Sequence, residues 1–210
     1  MMCQKSAPHV SVETILGLRE DKKDRTRAQL LEAALDLIHK RGFEETTVAD
    51  IAAAVSVSPR TLLRYFPTKE DVIVSWVQDG MTIIRAELTE RLASEPPVVA
   101  LLAAARAMLL AFDERSRFFL AIETAIRSNR SISARKEQMI AELIDEVAHI
   151  LASPDRRSPL PDVVAYTVAG TVFALIRASI NSWVDGGAAM SLVDLFDRAA
   201  SIVHFEQNVT

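Results

Sequence analysis

The stretch SPRTLLRYFPTKED, Ser58 to Asp71, sets the tightest limit on how this chain can fold. Pro59 and Pro67 frame it. A proline at the first helical position is harmless, because its missing N–H would have no partner there anyway. A later proline ends the helix, because the residue before it is pushed out of helical geometry. Ser58 supplies an N-cap oxygen. The segment is therefore a helix of about two turns, too short to stand by itself.

What precedes it is equally constrained. TVAD, Thr47 to Asp50, has the spacing of a capping box, with Asp in place of the usual Glu. It opens a second short helix that buries Ile51, Ala52 and Val55, and Ala52 to Ala54 keep that helix thin enough for close packing. Ser56-Val57 turns the chain, and Thr68 with Asp71 repeats the capping pattern at the start of a further helix. Helix, brief turn, helix is the helix-turn-helix arrangement.

Around this core the pattern is helical. Asp24 is a candidate N-cap for a first helix to Arg41, with Leu30, Leu31, Ala34, Leu35, Leu37 and Ile38 at helical spacing. Gly42 follows as its left-handed end. Residues 1–20 read as a mostly loose tail, helical at most around Val12–Leu18, and 21–68 as a DNA-binding domain. Residues 69–210 form a larger helical domain. Its first helix is expected from Lys69 to Pro96-Pro97, and the others near Val98–Asp113, Ser116–Arg127, Ser131–Ala152, Pro161–Val184 and Ser191–Glu206. Abundant Ala and Leu favour helix over sheet, so the fold class is all-α.

Charge narrows the function. The net charge is −4, which excludes a globally basic coat for nucleic acid. Residues 1–75 nevertheless balance 11 Lys+Arg against 11 Asp+Glu, while the remainder holds 13 against 17. The first third can meet a polyanion that the rest repels. No acid occurs between Asp50 and Glu70. At 100° per residue, Leu62 and Phe66 share one face of the short helix, and Arg60 and Arg64 share the opposite face with Leu63 beside them. Arg can bond a guanine edge through two N–H groups, and an aliphatic side chain can meet a thymine methyl. Thr61, Tyr65 and Lys69 suit phosphates, as do the N–H groups at the Thr47 cap. The competing reading is a solvated basic face. Lys22, Lys23, Arg25 and Arg27 fit a basic arm or a solvated helix start equally.

At this point the sequence resembles the TetR/AcrR family of bacterial transcriptional regulators. TRAQLLEAALDLIHKRGFEETTVADIAAAVSVSPRTLLRYFPTKEDV, Thr26 to Val72, carries the resemblance. The likeness implies three N-terminal helices that bind double-stranded DNA and a larger helical domain that dimerises and binds a small-molecule effector. It puts the groove-reading positions on Pro59, Arg60 and Arg64, beside the cap Ser58. Phosphate-contacting positions fall on Thr47, Thr61, Tyr65 and Lys69. Leu63 departs from the tyrosine common in the family and cannot give its hydroxyl contact. FALIRASINSWVDGG, Phe173 to Gly187, and SLVDLFDRAASIV, Ser191 to Val203, resemble the family's last two helices, which imply a homodimer interface. Ala169, Gly170, Ala174 and Ala178 permit close approach, and Leu192, Leu195, Phe196, Ala199 and Val203 form an apolar stripe. That stripe could instead pack on the chain's own core.

For an effector cavity, Met108, Phe119, Met139, Ile144, Phe173, Ile176 and Trp183 are the apolar candidates. Glu123, Arg127, His149, Arg177 and Asn181 are the polar ones. The expected function is a ligand-responsive repressor that binds a palindromic operator as a dimer and is released by a largely apolar effector. Its rivals are a constitutive DNA-binding protein, or a helical metal protein or enzyme. Glu146 with His149 is a single true Glu-x-x-His, and Asp36 with His39 is a looser copy, too little for a two-metal bundle site. No nucleophile elbow or glycine-rich phosphate loop occurs, so neither catalysis nor a cofactor is expected. Cys3, the only cysteine, leaves no disulfide within the chain. No uninterrupted apolar run reaches the roughly 18 residues of a membrane span, and no apolar signal region opens the chain. Cytoplasmic location without a membrane is the expectation.

Overall fold

A computed structural model describes residues 12–205, with side chains from Asp24 onward. Residues 1–11 of the expected tail, the side chains of Lys22 and Lys23, and 206–210 lie outside the described residues. Every described element is a helix. The chain divides into two compact units, with the boundary between Val72 and Ile73.

The N-terminal unit holds α1 (Val12–Arg41), α2 (Val48–Ala54), α3 (Pro59–Tyr65) and most of α4 (Lys69–Ile73). Here the first expectation is corrected: α1 runs unbroken through Asp24, which is therefore interior and not an N-cap. An Asp within a helix costs only a few tenths of a kcal/mol, about 0.7 at most, and no proline follows before Arg41. Gly42, at φ +85°, ends the helix, and its N–H donates to Ile38 O at 2.8 Å. Phe43 then turns inward beside Leu30, Leu31 and Ala34 in the buried set.

The capping box at α2 forms as its spacing predicts. Asp50 N–H donates to Thr47 Oγ1 at 3.2 Å, and Thr47 N–H donates to Asp50 Oδ2 at 3.0 Å. Arg41 pairs with the same carboxylate. The end of α2 is a Schellman turn: Ser56 N–H donates to Ala53 O and Val57 N–H to Ala52 O, both at 3.0 Å. Ser56 sits there at φ 57°, a left-handed conformation that a side chain resists and glycine does not.

The C-terminal unit holds α5 (Ser75–Arg91), α6 (Pro97–Asp113), α7 (Ser116–Ser128), α8 (Arg130–Ala152), α9 (Asp162–Asp185) and α10 (Leu192–Ala200). Two expectations change here. The helix expected from Lys69 to Pro96 breaks at Val74, whose φ −87° and ψ 3° leave helical geometry, so α4 and α5 are separate. The last helix stops at Ala200, not near Glu206.

The pairs α5–α6 and α8–α9 dominate the packing of this unit. Gly80 lets α5 and α6 approach: a Cβ there would lie 2.8 Å from Phe112 Cζ. Phe112 cannot yield easily, because it stacks on Phe119 at 4.2 Å and meets the edge of Trp76 at 5.2 Å. Asp113, at the end of α6, caps α10 from a distance. It accepts from Ser191 Oγ at 2.6 Å and Leu192 N–H at 2.9 Å. By length and composition α9 could cross a membrane, with mean hydropathy 1.7. Arg177 interrupts its apolar run, which is why the sequence showed no continuous span. Half of its most apolar window is buried inside the protein.

Two outcomes follow for the N-terminal unit. Ser56→Gly removes the left-handed penalty, partly offset by the entropy glycine loses on folding; urea unfolding should show a gain of about 0.5–1 kcal/mol. The Thr47 hydroxyl, its N–H and then Arg41 hold the Asp50 carboxyl below its ordinary value of 3.8. A lowered carboxyl stabilises the folded state fully above that ordinary value, and the contribution is lost as pH falls through the folded one. Carboxyl chemical shifts should place the Asp50 midpoint below 3.8, and Thr47→Val should raise it.

Candidate functional site

α3 owes its orientation to two side chains. Leu62 is fully buried and Phe66 nearly so. With these facing inward, the 3.6-residue period forces Arg60, Leu63 and Arg64 outward, and all three are exposed. Leu63 keeps 47% of its surface in solvent, a large exposure for leucine. The inward and outward faces match the sequence reading.

The caps hold the helix start. Ser58 Oγ accepts from Thr61 N–H at 3.1 Å, and the two hydroxyls bond each other at 2.8 Å. Arg64 lies over the Tyr65 ring, 5.4 Å from its centroid. Arg27 sits 4.9 Å from the Phe66 centroid, so this member of the basic group braces the back of α3. Lys69 is not simply an exposed cation. Its ammonium donates to Phe43 O at 3.0 Å and Thr46 O at 3.2 Å, and lies 4.1 Å from the Phe43 ring centre. An ammonium has three donors, so one remains beyond these two. Thr46, fully buried and bonded to Gly42 O at 2.8 Å, completes this turn and was missed in the sequence. Its signal was the Thr-Thr pair, of which only Thr47 reads as a cap.

The C-terminal unit contains a partly open cavity of about 330 Å³. Of the expected lining, Met108, Glu123, Arg127, Phe173, Ile176, Arg177 and Asn181 are on its wall. Phe119, Met139, Ile144, His149 and Trp183 are not. Phe119 stands one layer back, against Phe112 and Trp76. Met139 and Trp183 are core residues. His149 is exposed, with Nδ1 2.6 Å from Asp145 O and its ring edge-on to Tyr166. The sequence missed Trp76, Gly80, Phe112 and Lys136 on the wall. They come from α5, α6 and α8, whose facing sides no local pattern reveals.

The cavity's charged groups are already engaged, whereas the buried Nε1 of Trp76 has no hydrogen-bond partner. Lys136 Nζ donates to Glu123 Oε1 at 2.7 Å and Oε2 at 2.8 Å, with both side chains largely buried. The same ammonium lies 5.1 Å from the centre of the Trp76 ring. Arg177 donates to Glu137 at 3.2 Å. Arg127 pairs with Asp185 and donates to Asn181 Oδ1 at 2.9 Å.

The residues expected at a dimer interface separate into two groups. Leu192 and Phe196 are each 1% exposed and pack within the unit, where α10 meets α9 and α6. They are core here, the alternative the sequence left open. Ala174 and Ala178 are exposed on α9, while Leu195, Ala199 and Val203 are half-buried. Among the described residues, no cluster of three or more His, Cys, Asp or Glu could hold a metal ion.

Comparison with known proteins adds the remaining weight. Residues 30–75 match the family model described as bacterial regulatory proteins, tetR family. The HTH-type transcriptional regulator TcmR of Streptomyces glaucescens is 44% identical over 93 residues, which span 44% of this chain and 41% of TcmR. The fatty acid metabolism regulator protein of Bacillus subtilis (strain 168) is 22% identical over 83% of this chain and 92% of its own length. Among solved structures, Thermus thermophilus FadR, a TetR-family repressor in complex with lauroyl-CoA, shares the fold. Its TM-score is 0.55 at 23% identity, covering 84% of this chain and 92% of that one. The pair of capped short helices and the basic outward face of α3 fall within the matched residues, so this part of the chain is similar to the bacterial regulatory proteins of the tetR family.

Proposed function

We propose that this chain is a dimeric, ligand-responsive transcriptional repressor of the cytoplasm. Two copies of α3 enter successive major grooves of a near-palindromic operator. The observation that carries the reading is the face of α3, where Arg60, Leu63 and Arg64 stand exposed over a buried Leu62. Arg60 and Arg64 read base edges, and Leu63 offers an apolar contact for a thymine methyl. Thr47, Thr61 and Tyr65 supply phosphate contacts, and Lys69 supplies its remaining N–H.

The dimer forms through the outward side of α9. Gly170, Ala174 and Ala178 lie four residues apart along it, and small side chains let helices approach closely. A largely apolar effector occupies the C-terminal cavity, whose volume falls at the small end of the ~300–1,000 Å³ usual for such sites. Thermus thermophilus FadR, of the same fold, is found with lauroyl-CoA, whose acyl chain is apolar although its coenzyme A part is anionic; the acyl chain alone supports an apolar occupant. Catalysis is no part of the role.

The first test is binding to the DNA upstream of the chain's own gene, across a salt series, against scrambled DNA of equal length. Tight, sequence-dependent binding by a dimer supports the reading, and equal weak binding to both DNAs counts against it. Arg60→Ala or Arg64→Ala should cost about 1–3 kcal/mol at the cognate site and relax base preference. Tyr65→Phe should weaken all DNA by one common factor. If the Arg and Tyr variants lose affinity in the same pattern, the division into reading and anchoring residues is wrong. Lys69→Ala should flatten the salt slope by about one unit and also lower the melting temperature, because the carbonyls of Phe43 and Thr46 lose their donor.

Light scattering tests the dimer. Ala174→Arg should bring the mass down to the 23.1 kDa of one chain. Leu192→Ala should instead cost about 2–5 kcal/mol of stability and leave the mass at the dimer value. Monomers from Leu192→Ala and dimers from Ala174→Arg would place the interface elsewhere.

A further inference from the structure

The geometry points to an uncharged effector: the cavity selects neutral, ring-bearing molecules and turns anions away, with the Glu123–Lys136 pair as the specificity-determining element. This rests on the effector reading above and makes its chemistry specific.

The argument starts from the charges on the wall. The ionisable side chains lining the cavity are Glu123, Arg127, Lys136, Glu137 and Arg177. Each has an opposite charge as its partner: Glu123 with Lys136, Glu137 with Arg177, and Arg127 with Asp185. The driest of these pairs is the first, with side-chain exposures of 5% for Glu123 and 13% for Lys136. Both carboxylate oxygens of Glu123 take a bond from the ammonium, and the Trp76 ring covers another side of it. A ligand anion entering this space finds no spare cation. Beside the buried pair it would have to pull Lys136 away and leave Glu123 buried without a partner, which is far worse than breaking the more exposed Arg127 or Arg177 pair. A ligand cation faces the mirror problem.

What the wall does offer is neutral. Trp76, Phe112 and Phe173 present ring surfaces, and Met81 and Met108 present polarizable sulfur. Ser133 and Asn181 add hydrogen-bonding capacity without net charge. An apolar molecule with an aromatic ring and one or two hydroxyl or carbonyl groups satisfies these surfaces.

The test uses two fluorescent probes that share one skeleton and differ by a single sulfonate. N-phenyl-1-naphthylamine is neutral, and 8-anilino-1-naphthalenesulfonate is its ring-sulfonated derivative, an anion. Energy transfer from tryptophan reports binding near the wall. Trp183→Phe leaves Trp76, which lines the cavity, as the only donor. The full-length protein should bind the neutral probe at least about tenfold more tightly than the sulfonate. Glu123→Gln keeps the shape and frees the Lys136 charge. It should tighten sulfonate binding by about tenfold and change neutral binding by less than about threefold.

Sulfonate bound as tightly as the neutral probe by the parent chain would overturn the charge selection while leaving an effector cavity in place. A Glu123→Gln variant that folds, as judged by circular dichroism, but gains nothing for the sulfonate would remove the pair from its role. Should that variant not fold, the ratio of the two affinities in the parent still decides the matter. Binding of neither probe would overturn this inference and the effector reading together.

Discussion

The basic outward face of α3 depends on one constraint: a helix of seven residues cannot form by itself. Nucleating a first turn costs more than a two-turn helix recovers in water, so α3 must borrow its stability. It borrows from Leu62 and Phe66 beneath it, from the Ser58 cap at its start and from the Schellman turn that delivers the chain from α2. These supports also fix its rotation. With two residues four apart locked inward, the exposed arc is fully determined, and Arg60 and Arg64 have one direction left. Rigidity of this outward face is thus a packing property. It needs no long helix.

The same unit shows how a buried or half-buried cation serves structure first. Lys69 bridges two carbonyls of the α1–α2 turn across more than twenty residues of sequence. The left-handed Gly42 opens that turn and the Thr46 hydroxyl closes it. A turn so braced sets the entry angle of α2, and with it the position of the Thr47 cap. In the C-terminal unit Asp113 does the equivalent work. Its carboxylate satisfies free N–H groups at the start of α10 from the far end of α6, so two helices distant in sequence share one terminus.

How much of this was legible follows from how local each cause is. Caps, prolines and left-handed ends act within four residues, so α2, α3, the Thr68–Asp71 box and the basic face of α3 were all readable. Asp24 misled because an N-cap residue carries its meaning only if a helix starts there, and α1 had begun earlier. The break at Val74 has no side-chain cap and no proline to announce it. The apolar stripe of α10 was visible, but periodicity gives a buried face without saying against what. Leu192 and Phe196 spend theirs on their own core. The cavity was half legible for the same reason. Glu123, Arg127, Phe173 and Arg177 stood out as polar or aromatic positions on apolar helices. Trp76, Phe112 and Lys136 join them only through the packing of α5, α6 and α8. No pattern within one helix marks Trp183 as core and Trp76 as wall.

A single helix ties the cavity to the outward surface of its unit. Phe173, Ile176 and Ile180 on α9 line the cavity, while Ala174 and Ala178 on the same helix face solvent. Arg127 reaches from the wall to Asn181 and Asp185 in the last turn of α9, so the end of that helix is held by a cavity residue. A molecule that enters must either fit the existing space or move α9, because packed interiors do not compress. Any movement of α9 also displaces the small residues on its far side. Such coupling changes DNA affinity only if the ligand binds the two positions of α9 unequally. A wall whose charges are paired with one another favours that outcome. It holds a ligand by shape and ring contact, and these are the interactions that change when a helix shifts by a fraction of a turn.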